Sequence, residues 1–423
     1  METLLEKIRK YNTWEGLPFN IGFERSAYLE QIVSYIGNNL IKVIVGQRRT
    51  GKSYIMRQIM NFLISKHAVN PKNIFYVNKE YIAFDDISTM KNLEELFEYY
   101  KLHFNIVGKV YIFIDEIQNI RNWEKFVNSY SQDFTFDYEL FITGSNSNLL
   151  SGELATLISG RYVEFEILPF SLKEFAEYKN MKITKTLFIS YLKAGGLPEL
   201  LNFNNEEIRR HYVEDLKNTI VLRDIVQRNQ LKDLTLLEDV FKFIMSNIGN
   251  LTSVNGIVKY FKSKQKKTNY DTLSTYVGYL LNTFIVHEVE RFNIRGKQIL
   301  GGVKKYYLND LAFKNYTLGY YPSDIGYNLE NYVYLQLKRM GYKVNIGILN
   351  EKEIDFIAEK SDKIMYVQVA YLLNSQKTID REFGNLLSIK DNHEKIVISM
   401  DDIKFSNYQG IKHIHPWELG YTN

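Results

Sequence analysis

The sequence contains no cysteine. Disulfide bonds, thiolate metal ligands and cysteine nucleophiles are therefore excluded, and an intracellular location is compatible with this composition. Long hydrophobic runs are also absent, because apolar stretches such as YIFI at 111–114 are far shorter than the ~20 residues of a membrane-spanning helix. Residues 1–14 mix charged and apolar side chains and lack the apolar core of a signal peptide. We expect a soluble, cytoplasmic protein with no membrane partner.

A strong excess of charge of one sign is missing as well. The 53 Lys and Arg residues and 49 Asp and Glu residues give a formal net charge of +4. This is too mild to indicate a nucleic-acid binder, so any basic surface must be local. The composition is that of a globular protein, with 45% hydrophobic residues, and 423 residues suffice for about two to four domains.

The octapeptide GQRRTGKS at 46–53 fits the pattern G-x-x-x-x-G-K-S/T. An apolar run at 41–45 precedes it and apolar residues at helical spacing follow it at 54–66, which is the strand, loop and helix context that the pattern requires. The glycines let successive backbone N–H groups point at phosphate oxygens, and the helix adds the positive end of its dipole. The alternative is a glycine turn with a surface lysine.

This loop predicts an ATP site. Lys52 would bridge the β- and γ-phosphates, and the Ser53 hydroxyl would bind Mg²⁺. The candidate nucleotide-binding residues are Gly46, Gln47, Arg48, Arg49, Thr50, Gly51, Lys52, Ser53 and Tyr54.

A second, acidic element is required for the metal ion and the attacking water. The segment KVYIFIDEIQNI at 109–120 provides one, because an apolar run typical of a buried parallel strand ends in Asp115 and Glu116. The carboxyl ends of parallel strands are where α/β folds place ligands. Asp115 would hold Mg²⁺ through water, and Glu116 would polarise the nucleophilic water. The alternative is that Asp115 only caps the following helix.

The segment YELFITGSNSNLL at 138–150 predicts a third strand that ends in polar residues. Ser145 and Asn146 are candidates to contact the γ-phosphate or to orient the water, and the alternative is a helix N-cap at Ser145 or Ser147. Arg161 follows a glycine and precedes an apolar strand. It could act as an arginine finger on the nucleotide of a neighbouring subunit, and a surface arginine is the alternative.

In this order and spacing, the motifs GQRRTGKS, FIDEIQNI, ITGSNS and SGRYVEFEILPFSLKEF resemble the core of the AAA+ superfamily, specifically a widespread group of bacterial and archaeal ATPases. The resemblance covers roughly residues 20–225. The resemblance implies that Asp115 and Glu116 have the Walker B roles. It also implies that Asn146 or Ser145 is the first sensor and that Arg161 is an arginine finger. Arg223 in VLRDIV is a candidate for the second sensor.

The middle of the chain is predominantly helical. Residues 181–228 resemble a helical lid that AGGLPELL at 194–201 interrupts, and residues 229–320 show the order helix, helix, turn, helix, strand of a winged helix. In a DNA-binding form the helix at about 271–282 would enter the major groove while nearby lysines face phosphates. These lysines are Lys259, Lys262, Lys264, Lys266 and Lys267. The alternatives are a solvated loop or a protein-contact module.

Residues 321–423 have the predicted order αβββαβ. With Glu330 on the first helix, Asp355 on the second strand and Gln368 on the third, they resemble the restriction-endonuclease-like PD-(D/E)xK fold. These three side chains could gather a divalent cation.

The lysine of that motif is missing, because Ala370 stands at its position. The motif lysine normally positions or activates the water in such a fold, and Lys363 or Lys377 could take its role. We therefore expect a nuclease-like fold that is inactive or serves only in binding.

The sequence predicts an α/β protein with four parts. They are a P-loop NTPase core of AAA+ type with a parallel sheet at 1–180, a helical connector at 181–228, a winged-helix domain at 229–320 and a restriction-endonuclease-like domain at 321–423. The predicted activity is Mg²⁺-dependent ATP hydrolysis that moves the C-terminal half, with double-stranded DNA or a protein as partner and an oligomer as a compatible state. A nucleotide-dependent switch that binds a protein, and a DNA-processing nuclease, are the alternatives.

Overall fold

A computed structural model describes residues 2–16, 19–147, 160–229, 231, 233–402, 404–405 and 407–421. The chain divides into two compact units, Met1–Ile167 and Leu168–Asn423. Across the described ranges, no helix has both the length and the apolar surface that a membrane crossing needs.

The first unit is built on a five-stranded sheet. Its strands are β1 (Ile41–Val45), β2 (Ile74–Asn78), β3 (Val110–Asp115), β4 (Tyr138–Gly144) and β5 (Tyr162–Glu166). They lie in the order β2-β3-β4-β1-β5, and all neighbouring pairs are parallel. The predicted parallel sheet is thus confirmed. Strands β1 to β4 are buried along their whole length, which explains their continuous apolar runs.

Helices flank this sheet. Those in the described part of the unit are α1 (Glu2–Arg9), α2 (Ser26–Val33), α3 (Lys52–His67), α4 (Met90–Phe104) and α5 (Trp123–Ser131). Apolar side chains of α2 and α3 pack with Ile44, Phe113 and Phe141 of the sheet in one hydrophobic core. This packing fixes the start of α3, and with it the preceding loop, at the carboxyl end of β1.

The second unit begins with six helices. They are α6 (Leu172–Tyr178), α7 (Lys185–Ala194), α8 (Glu206–Thr219), α9 (Leu234–Ser246), α10 (Val254–Ser263) and α11 (Tyr270–Asn282), and α8 continues as a π-helical segment, Ile220–Gln227. Each of the six starts at a polar N-cap whose side chain accepts a backbone N–H: Ser171, Thr184, Asn205, Asp233, Ser253 and Asn269. These caps explain why the helices begin where they do.

A seven-stranded sheet completes the second unit. Its strands are β6 (Val286–Asn293), β7 (Gln298–Leu308), β8 (Lys343–Leu349), β9 (Lys352–Lys360), β10 (Lys363–Val369), β11 (Glu394–Ile398) and β12 (Lys412–Ile414). The strand order is β12-β11-β10-β9-β8-β6-β7. The remaining helices are α12 (Ala312–Leu318), α13 (Ile325–Arg339) and α14 (Gln376–Leu387).

The predicted element orders are present in this unit. Helices α9, α10 and α11 precede the antiparallel hairpin β6–β7, and α13, β8, β9, β10, α14 and β11 follow as αβββαβ. The hairpin is not a separate wing, however, because β6 pairs with β8 in parallel, with Arg291, Phe292 and Asn293 opposite 346–348. One hydrophobic core joins side chains from α6 through β11. The division into four domains stays a prediction.

Candidate functional site

The glycine-rich loop joins the carboxyl end of β1 to the first residue of α3. Gly46 has a φ of 140° and Gly51 a φ of 98°, backbone conformations that favour glycine. A Cβ atom on Gly46 would lie 2.5 Å from the carbonyl oxygen of Ile167, whereas one on Gly51 would have no neighbour within 4 Å. Gly46 therefore permits close packing against the chain that follows β5, and Gly51 forms the left-handed N-cap of α3.

Lys52 is the first residue of α3 and is only 5% exposed. Its Nζ atom donates to the carbonyl oxygens of Gly46 at 2.9 Å and Gln47 at 3.0 Å. The same atom lies 3.8 Å from Oε1 of Glu116. The ammonium group therefore lies between the loop and the end of β3.

The loop is supported by a buried arginine that precedes α2. Arg25 Nη1 donates to the carbonyl oxygen of Thr50 at 3.0 Å, and its backbone N–H donates to the side chain of Gln58 on α3 at 3.1 Å. The Thr50 hydroxyl in turn donates to the carbonyl oxygen of Gln47 at 2.9 Å. These contacts hold the loop in a fixed curve.

Asp115, the last residue of β3, is fully buried. Its carboxylate accepts hydrogen bonds from the Tyr76 hydroxyl at 3.2 Å, from Asn78 Nδ2 at 2.9 Å and from the Thr143 hydroxyl. The Ser53 hydroxyl is a further donor. The alternative that Asp115 only caps a helix is wrong, because these partners come from β2, β4 and α3, and the residue at the N-cap of the following short helix is Glu116.

Glu116 follows in a left-handed conformation, with a φ of 56°, and is 5% exposed. Its carboxylate accepts a hydrogen bond from the Ser145 hydroxyl at 3.0 Å and another from Gln118 Nε2. Its backbone N–H donates to the Thr143 hydroxyl at 3.0 Å. A non-glycine residue in this conformation is a strained feature that clusters at functional sites.

Strand order explains how Ser145 reaches Glu116. Because β4 lies between β1 and β3, the residues after β4 stand between the loop and the acidic pair. Asn146 is buried beside Ser145 at this point, 6% exposed. The prediction that Ser145 or Ser147 caps a helix depends on residues 148–159, which lie outside the described residues.

The two adjacent carboxyl groups differ in protonation behaviour. Burial, followed by the charge of Glu116, raises the pKa of Asp115 above its usual value. Burial alone would also raise the pKa of Glu116, but the charges of Lys52 and Arg48, together with the hydrogen bonds from Gln118 and Ser145, outweigh it and hold this pKa below its usual value. Glu116 is therefore ionised at neutral pH, as a group that polarises water must be.

The other side chains of the loop point in different directions. Arg48 is 8% exposed and its Nη1 atom lies 3.0 Å from Oε1 of Glu80, whereas the side chain of Arg49 is exposed. Tyr54 is 39% exposed, and the guanidinium of Arg57 lies 4.1 Å from the centre of its ring.

These groups fit a magnesium nucleotide. Ser53 and Asp115 offer the hard oxygen ligands that Mg²⁺ prefers, and Lys52 offers a charge for phosphate. In the described part of the chain, no group of three or more His, Asp or Glu side chains is placed to hold a metal ion. A cation at Ser53 and Asp115 therefore requires further oxygen ligands, which the phosphates of a nucleotide would supply.

Comparison with known proteins gives the family. A family model described as an AAA domain matches residues 38–176, and one described as a domain of unknown function matches residues 185–324. The chain is 36% identical over 401 residues to an uncharacterized protein of Haemophilus influenzae, covering 92% of this chain and 96% of that protein. For uncharacterized protein MJ1544 of Methanocaldococcus jannaschii, the identity is 31% over 351 residues, with 79% and 76% covered. The chain belongs to their family. The glycine-rich loop, β3 and β4 all lie within its AAA domain.

Solved structures show weaker similarity. The Aeropyrum pernix Orc1 protein in complex with DNA is 17% identical, with 72% of this chain and 95% of that chain covered and a TM-score of 0.34. Cdc6p from Pyrobaculum aerophilum is 11% identical, with 68% and 92% covered and a TM-score of 0.31. AMPPCP-bound DnaA from Aquifex aeolicus is 15% identical, with 64% and 91% covered and a TM-score of 0.31.

Arg161 lies at the amino ends of the strands of the AAA domain sheet, whereas the glycine-rich loop lies at their carboxyl ends. Its carbonyl oxygen accepts the backbone N–H of Ile41 at 2.9 Å, where β1 and β5 begin, and its side chain is exposed. The Arg161 side chain is therefore not brought together with Lys52 and Glu116 of the same chain. Arg223, the candidate second sensor, has an exposed side chain on the π-helical segment of the second unit. Both roles stay predictions.

The acidic residues predicted in the tail surround a lysine. Lys305 of β7 is 3% exposed, and its Nζ atom lies 2.8 Å from Glu330, 2.6 Å from Glu353 and 4.0 Å from Asp355. Burial lowers the pKa of Lys305, but the neighbouring carboxylates outweigh burial and raise it above its usual value. The ammonium is therefore charged and lies within hydrogen-bonding distance of two carboxylates. The Tyr307 hydroxyl also donates to Glu330 at 2.6 Å.

Both polar atoms of the Gln368 side-chain amide form hydrogen bonds. Its Oε1 atom accepts the backbone N–H of Asp355 at 3.0 Å, and its Nε2 atom donates to Glu382 at 2.7 Å. The side chains of Lys363 and Lys377, the predicted replacements for the motif lysine, are exposed. The lysine that reaches the acids is instead Lys305, from a strand outside the predicted nuclease-like segment.

The predicted lysine cluster lies on α10 and in the loop that follows. The side chains with large exposed fractions are Lys259, Lys262, Lys264 and Lys267. Lys266 forms an ion pair with Asp239 of α9. The helix predicted to enter the major groove is α11, and it exposes Asp271 and Thr275. The basic surface therefore belongs to α10 and its loop rather than to α11.

Several supporting residues were not predicted from the sequence. Asn78 and Thr143 lie at or near the ends of β2 and β4, and a polar residue that closes an apolar strand, as Asp115 does, is a signal that could have identified them. Arg25, Glu80 and Lys305 have no such local signal, because their contacts come from distant parts of the chain.

Proposed function

We propose that this protein is a Mg²⁺-dependent ATPase. The observation that carries the proposal is the convergence of the loop, β3 and β4 at one edge of the sheet, where Lys52 lies 3.8 Å from Glu116 and Ser145 donates to the same carboxylate. Phosphoryl transfer to water needs three kinds of group. They are a positive charge that binds the phosphates, oxygen ligands that bind a cation, and an ionised carboxylate that polarises the water.

Each group has a distinct role in this proposal. Lys52 would exchange the loop carbonyls for β- and γ-phosphate oxygens, and Ser53 and Asp115 would hold Mg²⁺, which neutralises charge on the phosphates. Glu116 would accept a hydrogen bond from the attacking water, and the Ser145 hydroxyl would keep its carboxylate in position. The residue that acts as first sensor, Ser145 or Asn146, stays a prediction.

The test is steady-state ATP hydrolysis by wild type and Glu116→Gln. We expect the variant to bind ATP and to lose at least about 100-fold in kcat, because the amide cannot polarise the water. Glu95→Gln, the same change on an exposed residue of α4, is the matched control and should keep the wild-type rate. If wild type binds ATP without turnover, a nucleotide-dependent switch replaces the ATPase.

We propose double-stranded DNA as the partner of the C-terminal half. Four exposed lysines on α10 and its loop support this, because a local basic surface is what phosphate contact requires. Duplex binding should weaken with salt, and changing Lys259, Lys262, Lys264 and Lys267 to Gln should lower the salt slope by about 0.9 for each lost phosphate contact. A slope that does not change, or no duplex binding at low salt, would favour a protein partner instead.

For Arg161 we propose action on the nucleotide of a second copy, since its exposed side chain lies at the sheet edge away from its own loop. Lys52→Ala and Arg161→Ala should each be inactive alone. Mixed, they should regain part of the activity, because one copy would then supply the finger and the other the intact loop. Without recovery, Arg161 is a surface residue.

The contacts of Lys305 support a tail without nuclease activity, since its ammonium already pairs with Glu330 and Glu353, two of the acids that a metal ion would need. Incubation of wild type with Mg²⁺ or Mn²⁺ should leave supercoiled DNA intact. Nicking that Asp355→Ala abolishes would restore the nuclease alternative.

A further inference from the structure

Two arginines follow each other in the glycine-rich loop, and only one of them is buried. Arg48 is 8% exposed, whereas the Arg49 side chain faces solvent. An arginine side chain is rarely buried without a partner of opposite charge. The partner of Arg48 is Glu80, with Nη1 and Oε1 3.0 Å apart.

Glu80 is linked to the cation site through the end of β2. Its backbone N–H donates to Asn78 Oδ1 at 2.8 Å, and Asn78 Nδ2 donates to Asp115 at 2.9 Å. The Glu80 side chain is 31% exposed, so its carboxylate can leave Arg48 for water at modest cost. Arg48, by contrast, stays enclosed by the loop.

Arg48 lies in the loop between residues that reach the site. The carbonyl oxygen of the preceding residue, Gln47, accepts a hydrogen bond from Lys52 Nζ at 3.0 Å, and this Nζ atom lies 3.8 Å from Oε1 of Glu116. Through Glu80 and Asn78, the Arg48 side chain is also linked to Asp115. Arg48 therefore adjoins the place where Lys52, Glu116 and Ser145 converge. In the proposed ATPase, the γ-phosphate and the attacking water would meet there.

A guanidinium forms strong paired hydrogen bonds with carboxylate and with phosphate, so the two anions compete for one arginine. A nucleoside triphosphate brings a terminal phosphate to the loop that a diphosphate lacks. The exposed and easily hydrated Glu80 is the weaker competitor.

We propose that Arg48 distinguishes ATP from ADP by exchanging Glu80 for the γ-phosphate. In the ADP form, Glu80 holds Arg48; in the ATP form, Arg48 binds the γ-phosphate and the segment after β2 loses its ion pair with the loop. This inference rests on the proposed ATPase function and adds to it a specificity-determining residue.

The experiment is calorimetric binding of Mg²⁺-ADP and of a non-hydrolysable ATP analogue to the full chain. We expect wild type to prefer the analogue, Arg48→Met to lower the ratio of the two affinities by about 10- to 100-fold, and Glu80→Gln to raise it. Arg121→Met is the matched control, because it removes the same charge from an exposed position outside the loop, and its ratio should stay within about twofold of wild type.

An unchanged ratio in Arg48→Met, or an equal fall in Arg48→Met and Arg121→Met, would overturn the assignment. If Arg48→Met also loses ADP, Glu80→Gln decides: a raised ratio supports the exchange, and an unchanged or lowered ratio refutes it. Wild type that binds both nucleotides equally would overturn this inference alone. Wild type that binds neither would overturn the ATPase proposal as well.

Discussion

Lys305 shows how much a single buried charge can contribute. Its ammonium lies between carboxylates of α13 and β9, so Lys305→Met would leave them without a counter-charge. We expect a loss of about 3–5 kcal/mol in the free energy of unfolding, measured by urea denaturation. The double variant Lys305→Met/Glu330→Gln should recover part of this loss. Lys343→Met, on an exposed position of β8, should change stability by less than about 0.5 kcal/mol.

If Lys305→Met were as stable as Lys343→Met, the cluster would not depend on the ammonium. A metal ion could then be the natural counter-charge. Added Mn²⁺ would in that case stabilise wild type, whereas we expect no effect of Mn²⁺ on the unfolding of the second unit.

Asp310 gives a prediction about pH. Its carboxylate accepts the backbone N–H groups of Gly196 and Ala312, both at 2.8 Å, and Arg339 is the charged neighbour. Burial outweighs these favourable contacts and raises the pKa of Asp310 to about 6 in the folded state. Between the unfolded pKa of about 3.9 and this value, the folded state retains a proton that the unfolded state has released.

The contribution of Asp310 to stability is therefore present below pH ~4 and is lost as the pH rises through ~6, with a total of about 3 kcal/mol. Asp310→Asn does not titrate and should lack this decline. The measurement is the difference in unfolding free energy between variant and wild type, at several pH values from 4.5 to 7.5. A difference that is constant with pH would contradict the assignment.

The principal residues of the site could be predicted from the sequence because their signals are local. Lys52 and Ser53 belong to a contiguous motif, and Asp115 and Glu116 close an apolar strand. The burial of Arg48 and the exposure of Arg49 could not be predicted, because Glu80, which pairs with Arg48, follows a different strand, β2.

At the scale of elements, the loop makes a sharp prediction about its two glycines. Both have positive φ values, but only at Gly46 would a Cβ atom meet a backbone oxygen, that of Ile167 at 2.5 Å. Gly51→Ala should cost about 1–3 kcal/mol from backbone strain alone. Gly46→Ala should cost more and abolish nucleotide binding, because the loop must move away from the chain after β5.

Thermal unfolding and nucleotide titration of the two variants check this expectation. Equal losses in both would mean that strain at positive φ, rather than contact with Ile167, determines the shape of the loop.

The helices α9, α10 and α11 with strand β6, and the order αβββαβ from α13 to β11, were predicted in kind and in order, because amphipathic periodicity and N-caps depend on short stretches of sequence. Strand β7, helix α12 and strand β12 were not predicted. The strand pairing was not predicted. Strand β6 follows three helices in the order of a winged helix, yet it pairs with β8, with Arg291 opposite Ile346. Strand pairing at this distance depends on packing that no local pattern contains.

At the scale of the whole molecule, the two compact units predict two unfolding transitions. Each unit has its own hydrophobic core, so each should unfold cooperatively. A non-hydrolysable ATP analogue at 100 times its dissociation constant should stabilise the transition of the first unit, which contains the glycine-rich loop, by about 2.7 kcal/mol and leave the other unchanged. Differential scanning calorimetry measures both.

Lys52→Ala is the control for this experiment, because it should remove the shift without merging the transitions. A single transition that moves as a whole with nucleotide would show that the two units unfold together.

The seven-stranded sheet has a mechanical consequence. Backbone hydrogen bonds run without interruption from β7 to β12, and the helices α6 to α13 share one core with it. A force that a partner applies to α10 or α11 would therefore pass through this core and sheet to the far strand, β12. The C-terminal half should respond to force as a stiff lever rather than as a chain of loosely tethered modules.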